Sequence, residues 1–168
     1  DNEFIILGVA SGWSEKKGLQ VFLELSKYLK DDEKIFLVGR MPDIKLPENI
    51  IHIEATESIE ELVRYYNRAD VFLQLSKEES FGKVVAEALA CGTPVVTVDS
   101  TANRELVEER CGIVLDELEI PELSKAVEQI RSYGKKYYSE NCRVFAEGNF
   151  RMEDRIKDYI QLYERILK

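Results

Sequence analysis

The sequence predicts an α/β fold, a three-layer sandwich in which a six-stranded parallel sheet is covered by helices on both faces. Three observations lead there. Short continuous runs of Ile, Val, Leu and Phe recur along the chain, as in strands buried on both faces. Most are separated by segments whose apolar residues fall at helical spacing. Alternation of the two implies right-handed βαβ crossovers, and hence a parallel sheet.

Taken in order, the apolar run at residues 4–9 is the first strand. A loop at 10–16 leads to a helix over 17–29, with Leu19, Phe22, Leu23 and Ser26 along one face. Residues 35–39 form the second strand, and the segment 40–49, with Pro42 and Pro47, reads as irregular. A short third strand at 50–53 precedes a capping-box pattern, Ser58 with Glu61, and a helix carrying Ile59, Leu62, Val63 and Tyr66. The fourth strand spans 71–75 and the fifth 95–98, the latter opened by Pro94. A short helix is expected over 101–109 and a sixth strand over 112–115. Helices over 121–133, 136–147 and 152–167 complete the chain, the last with Ile156, Tyr159, Ile160, Tyr163 and Ile166 on one face.

Residues 78–96, between the fourth and fifth strands, organise the rest. They read as a polar loop ending in Ser80, a favourable N-cap, then a Val/Ala/Leu-rich helix closed by Gly92. A helix N-terminus gathers unpaired N–H groups and about half a positive charge, which suits an anion such as phosphate. Gly82 admits a ligand close to the backbone there. Glu79 lies just before this end and Glu87 within the helix. Ionised carboxylates accept hydrogen bonds only, so beside a diphosphate their partners are hydroxyl groups on either flank. A nucleotide sugar has that layout. On spacing alone, a solvated loop glutamate and an exposed helix glutamate fit equally well.

Glu79-Ser80-Phe81-Gly82 followed by Glu87-Ala88, with seven residues between the glutamates, resembles the Glu-x7-Glu signature of retaining glycosyltransferases of family 4. Ala90-Cys91-Gly92-Thr93-Pro94-Val95-Val96 resembles that family's continuation. The resemblance spans nearly the whole chain. It implies that residues 1–168 form the C-terminal, Rossmann-like, nucleotide-sugar-binding half of a GT-B fold, with the acceptor site on an N-terminal domain outside this sequence. By the same resemblance Glu79 and Lys17 serve catalysis. Glu79 holds hydroxyls of the transferred sugar, and Lys17, beside Gly18, holds the diphosphate together with the amides of Phe81 and Gly82. Glu87 holds the ribose. Ser80, Lys83 and Asn103 are further donor-binding candidates; Arg40, at the end of the second strand, either approaches the nucleotide or is a plain loop arginine. One departure stands out. The family usually carries an arginine in the first strand–helix loop, where this chain has Ser11 or Gly12. Lys83 either supplies part of that charge or is solvated.

The length suits one domain with one sizeable core. A net charge of −9 argues against a nucleic-acid-binding surface and requires a local positive site for an anionic donor. Three cysteines without a Cys-x-x-Cys pair fit reduced thiols. No apolar run approaches the roughly 18 residues of a membrane span, and the chain opens on a strand-like run without a basic, apolar leader. An excised domain of a cytoplasmic enzyme is therefore expected, any membrane contact arising through the other half. No metal-ligand spacing, Walker loop or Gly-x-Gly-x-x-Gly fingerprint is present, so no cofactor or metal is expected; the resemblance implies a UDP- or GDP-linked sugar as substrate. His52, flanked by isoleucines, is expected to be structural, and Trp13 either covers a ligand or packs in the core. A sugar-nucleotide epimerase or hydrolase of similar fold, or a noncatalytic nucleotide-binding module, is the alternative reading.

Overall fold

The computed structural model describes residues 3–78, 81–100 and 103–167. These contain a six-stranded, all-parallel sheet in the order β3-β2-β1-β4-β5-β6. The strands are β1 (Phe4–Gly12), β2 (Glu33–Arg40), β3 (Ile50–Ile53), β4 (Val71–Gln74), β5 (Val95–Val98) and β6 (Gly112–Leu115). The helices are α1 (Leu19–Leu25), α2 (Ile59–Arg68), α3 (Lys83–Ala90), α4 (Asn103–Leu106), α5 (Ile120–Tyr133), α6 (Lys135–Phe150) and α7 (Met152–Ile166).

The strands are continuously apolar because both sheet faces are covered. Consecutive residues such as Ile6 and Leu7, Val71 and Phe72, or Val95 and Val96 point to opposite faces, and all six are wholly buried. Helix α1 packs against α5, whereas α2 packs against α3 and α3 against α6. With right-handed crossovers these groups lie on opposite faces of the sheet, which gives the Rossmann-like three layers. The β2–β3 connection, residues 41–49, crosses without a helix.

Several boundaries differ from the sequence reading. Strand β1 continues to Gly12, three residues past the apolar run, and its pairing with β2 slips between Val9 and Gly12. The extra length is held by backbone hydrogen bonds, which leave no hydrophobic signature. Lys17 belongs to a one-turn 3-10 helix, Glu15–Lys17, and α1 begins only at Leu19 because Gly18 adopts a left-handed conformation between them. Helix α4 is four residues long, and α6 runs through Gly148 to Phe150.

Helix α7 buries none of its side chains. Ile156, Tyr159, Ile160, Tyr163 and Ile166 on its apolar face are each more than half exposed. Among the described residues no helix is long and apolar enough to cross a membrane.

Candidate functional site

Strand order reverses between β1 and β4, so the loops leaving their carboxyl ends diverge and open a crevice. Two adjoining cavities occupy it. One, of about 320 Å³, is lined by Ser11, Trp13, Lys17, Gln74, Ser76 and Lys83. The other, of about 370 Å³, is lined by Ser11, Arg40, Glu54, Thr56, Leu62 and Glu87. Val9, Ala10, Ser11 and Val84 border both, so the two form one trench along the carboxyl edge of the sheet.

The tip of α3 opens onto this trench. Its N-cap is Gly82, with φ 66°, not the Ser80 expected from side-chain preference. A left-handed N-cap favours glycine, and here it turns the chain into the helix. The N–H groups of Val85 and Ala86 donate to the Gly82 carbonyl at 2.8 and 3.3 Å, so the leading amides of the helix are those of Lys83 and Val84. Val84 borders both cavities. The leading amides thus lie slightly beyond the Phe81 and Gly82 amides favoured from the sequence. The Phe81 side chain is half exposed and meets Phe150 edge-on at 6.0 Å between ring centroids.

Glu87, on the second turn of α3, lines the trench with its side chain one-third exposed (33%). Its Oε2 accepts a hydrogen bond from the Tyr66 hydroxyl at 2.9 Å. Tyr66 is buried on α2, its ring against Phe72 and its carbonyl accepting from Thr93 Oγ1 at 2.6 Å. Burial, reinforced by the Glu87 charge, pushes the Tyr66 phenol far above its ordinary range, so it stays protonated and donates. Lys83 Nζ lies 4.0 Å from the other oxygen, Oε1, with an 85% exposed side chain; such an exposed pair contributes little.

Across the crevice, the loop after β1 is braced to the loop after β4. The Lys77 N–H donates to the Lys16 carbonyl at 3.1 Å, and Lys77 Nζ contacts Glu15 at 2.7 Å. This bracing holds Lys17 at the cavity wall. Arg40 Nε donates to the Ser11 carbonyl at 3.2 Å, which brings a guanidinium to the loop that lacks its own arginine.

Other candidates fall elsewhere. Asn103 is wholly buried and donates its amide to Ser100 Oγ at 3.1 Å. That corrects the expectation of a sugar contact, since its side chain reaches no surface. Trp13 is in the core: Nε1 donates to the Val38 carbonyl at 3.2 Å, and the ring meets Phe22 edge-on, with one edge at the trench. His52 Nε2 is 2.9 Å from the Gly39 carbonyl, a structural contact. Glu79 and Ser80 lie outside the described residues. The sequence reading missed Tyr66, Gln74 and Ser76. The last two are buried polar groups on the cavity floor, and a polar residue closing the apolar β4 run was the signal for them. Among the described residues no group of three or more His, Cys, Asp or Glu side chains is arranged to hold a metal ion.

The family model for glycosyl transferases group 1 matches residues 3–132. The chain belongs to the glycosyl transferases group 1 family. Among curated relatives, a 41.2 kDa protein in the cps region of Klebsiella pneumoniae is 31% identical over 120 residues, covering 70% of this chain and 33% of that protein. The D-inositol 3-phosphate glycosyltransferase of Pseudarthrobacter chlorophenolicus is 33% identical over 117 residues, 69% of this chain and 23% of its own length. The chain therefore corresponds to a part of the glycosyl transferases it matches. Among solved structures, a glycosyltransferase from Rickettsia africae superposes with a TM-score of 0.84 at 22% identity, over 100% of this chain and 49% of its own. Anabaena HepE, solved in complex with UDP and glucose, gives 0.81 at 21% identity, over 98% and 49%. The group 1 chain thus has the Rossmann-like architecture of its GT-B neighbours.

Proposed function

We propose that this chain is the donor-binding half of a retaining, family 4 glycosyltransferase that moves a sugar from a nucleoside-diphosphate sugar to an acceptor held by a separate N-terminal domain. The observation that carries this reading is that Glu87 and the tip of α3 open onto one trench, with the carboxylate fixed there by Tyr66.

Glu87 lies four residues past the start of α3, about 6 Å along the helix axis. That span suits ribose hydroxyls at the carboxylate and a diphosphate at the amides. In this arrangement Lys17 and the helix N-terminus stabilise the charge that develops on the departing diphosphate. This is electrostatic preorganisation. Arg40 adds positive charge from the Ser11 side. Glu79, by resemblance, accepts from hydroxyls of the transferred sugar. The 168-residue chain alone is expected to bind donor weakly and to transfer nothing.

The test is a thermal-shift screen of the full-length enzyme against UDP-glucose, UDP-N-acetylglucosamine and GDP-mannose, because a ligand that binds only the folded state raises its melting temperature. Stabilisation by one of them, followed by a transfer product whose anomeric configuration matches the donor's, supports the reading. No stabilisation by any nucleotide sugar overturns it, an inverted product overturns the retaining assignment, and donor turnover without acceptor favours the epimerase or hydrolase alternative.

A further inference from the structure

Tyr66 is buried, and the hydrogen bond its hydroxyl donates goes to Glu87, which lines the trench. We infer that Tyr66 is a positioning residue for nucleotide recognition: it immobilises one oxygen of the Glu87 carboxylate so that the other is presented, already oriented, to the vicinal hydroxyls of a ribose. The inference rests on the reading of Glu87 as the ribose ligand.

Three observations support it. First, a glutamate side chain one-third exposed on a helix has several rotamers open to it, and a fixed donor selects one. Second, Tyr66 is itself over-determined. Its ring packs on Phe72 at 5.7 Å between centroids. Its carbonyl is held by Thr93 Oγ1 and by Lys135 Nζ at 2.6 and 3.1 Å. The hydroxyl therefore has little freedom, and neither does what it holds. Third, the hydroxyl has one proton to give, and it goes to Oε2. Oε1 is left on the side of Lys83, whose ammonium stands 4.0 Å away on a highly exposed side chain. A vicinal diol has two donors for one carboxylate, and an orientation set in advance reduces what binding must spend on ordering the side chain.

The experiment compares the full-length enzyme with its Tyr66→Phe and Thr93→Val variants, titrated by calorimetry with UDP and GDP and with the 2′,3′-dideoxy form of whichever binds. The ratio of ribo to dideoxy affinity reports what the diol gains from Glu87. Tyr66→Phe is expected to shrink that ratio roughly 3- to 10-fold, the scale of one net hydrogen bond, and to leave the dideoxy affinity unchanged. Thr93→Val removes a neighbouring buried hydrogen bond without touching the hydroxyl–carboxylate contact. It is expected to lower the melting temperature and to change the ratio less than Tyr66→Phe does, because ring packing and Lys135 still hold Tyr66. An unchanged ratio in Tyr66→Phe, or an equal loss for both nucleotides, overturns the inference and leaves the proposed function standing. Failure of the unmodified enzyme to bind either diphosphate overturns both. If Tyr66→Phe does not fold, Glu87→Asp in the unmodified background carries the test. It withdraws the carboxylate from the hydroxyl by one methylene, and an intact ratio there likewise overturns the inference.

Discussion

Gly18 and Leu75 meet so closely that a Cβ on Gly18 would lie 2.7 Å from both the Cβ and the carbonyl oxygen of Leu75. The contact joins the loop carrying Lys17 to the loop leading into α3, at the point where the strand order reverses. Gly18 also has φ 79°, which L side chains rarely adopt. Gly18→Ala is expected to cost about 2–4 kcal/mol, from the left-handed backbone together with an overpacked contact against main chain. Because the two loops are the walls of the trench, donor affinity should fall with stability. Urea midpoints and nucleotide titration of the same variant check both. Near wild-type stability would show that the loops can part without loss.

Glu87 separates a binding effect from a stability effect. Glu87→Ala removes the proposed ribose ligand and also leaves the Tyr66 hydroxyl without this acceptor. Nucleotide affinity should fall roughly 100-fold, as for loss of two hydrogen bonds to a charged group. Stability should fall by only about 1 kcal/mol, because water reaches a side chain that is 33% exposed. Glu87→Gln keeps an acceptor for Tyr66 and should retain stability while affinity still drops about 10-fold. Calorimetric titration and thermal melts of the pair distinguish the two effects.

Lys17 is the cation proposed to face the departing diphosphate. Lys17→Ala should lower kcat roughly 100- to 1,000-fold, the scale of removing one group aimed at developing charge. Lys17→Arg should recover part of it, since a guanidinium keeps the charge but not the compact shape. Steady-state kinetics of the full-length enzyme with saturating acceptor measure this. An unchanged kcat in Lys17→Ala would move the role to Lys83 or Arg40.

How far the sequence carries depends on what each feature leaves in side-chain identity. Parallel strands covered on both faces must be apolar throughout, so all six could be seen, and their alternation with helices implied the parallel sheet. The helix that carries Glu87 was legible because loop, helix and strand follow within twenty residues, whereas the role of the glutamate pair came only from the family resemblance. Backbone features were not. Residues 10–12 extend β1 through main-chain pairing alone. The start of α3 is set by the conformation of Gly82, which overrides the capping preference of Ser80. Asn103, polar and near the site in sequence, is turned inward to a turn hydroxyl. Tyr66 and Glu87 belong to different helices, 21 residues apart, and only tertiary packing brings them together.

Lys135 gives the fold a pH dependence whose sign can be worked out. Its Nζ donates to the carbonyls of Tyr66, Asn67 and Ala69 at 3.1, 2.7 and 2.7 Å, which tethers α6 to the C-terminal end of α2. Terminal carbonyls lack intrahelical partners and carry partial negative charge, so a cation suits the position. Lys135→Met should therefore cost about 1–2 kcal/mol near pH 7. Burial opposes the charge and lowers the Lys135 ammonium to about 8, against roughly 10.4 in the unfolded chain. Between these values the unfolded chain holds a proton that the folded chain has released, so stability rises with pH. The contribution is greatest above the unfolded value and falls away as the pH drops toward 8, below which both states are protonated and it is flat. The buried Tyr66 phenol is pushed upward instead, so its ionisation lies outside this window. Urea midpoints at pH 7.5 and 9.5, taken as wild type minus Lys135→Met to cancel other groups, should show the difference growing with pH. A difference that stays constant would mean that the three carbonyls hold the ammonium charged despite its burial.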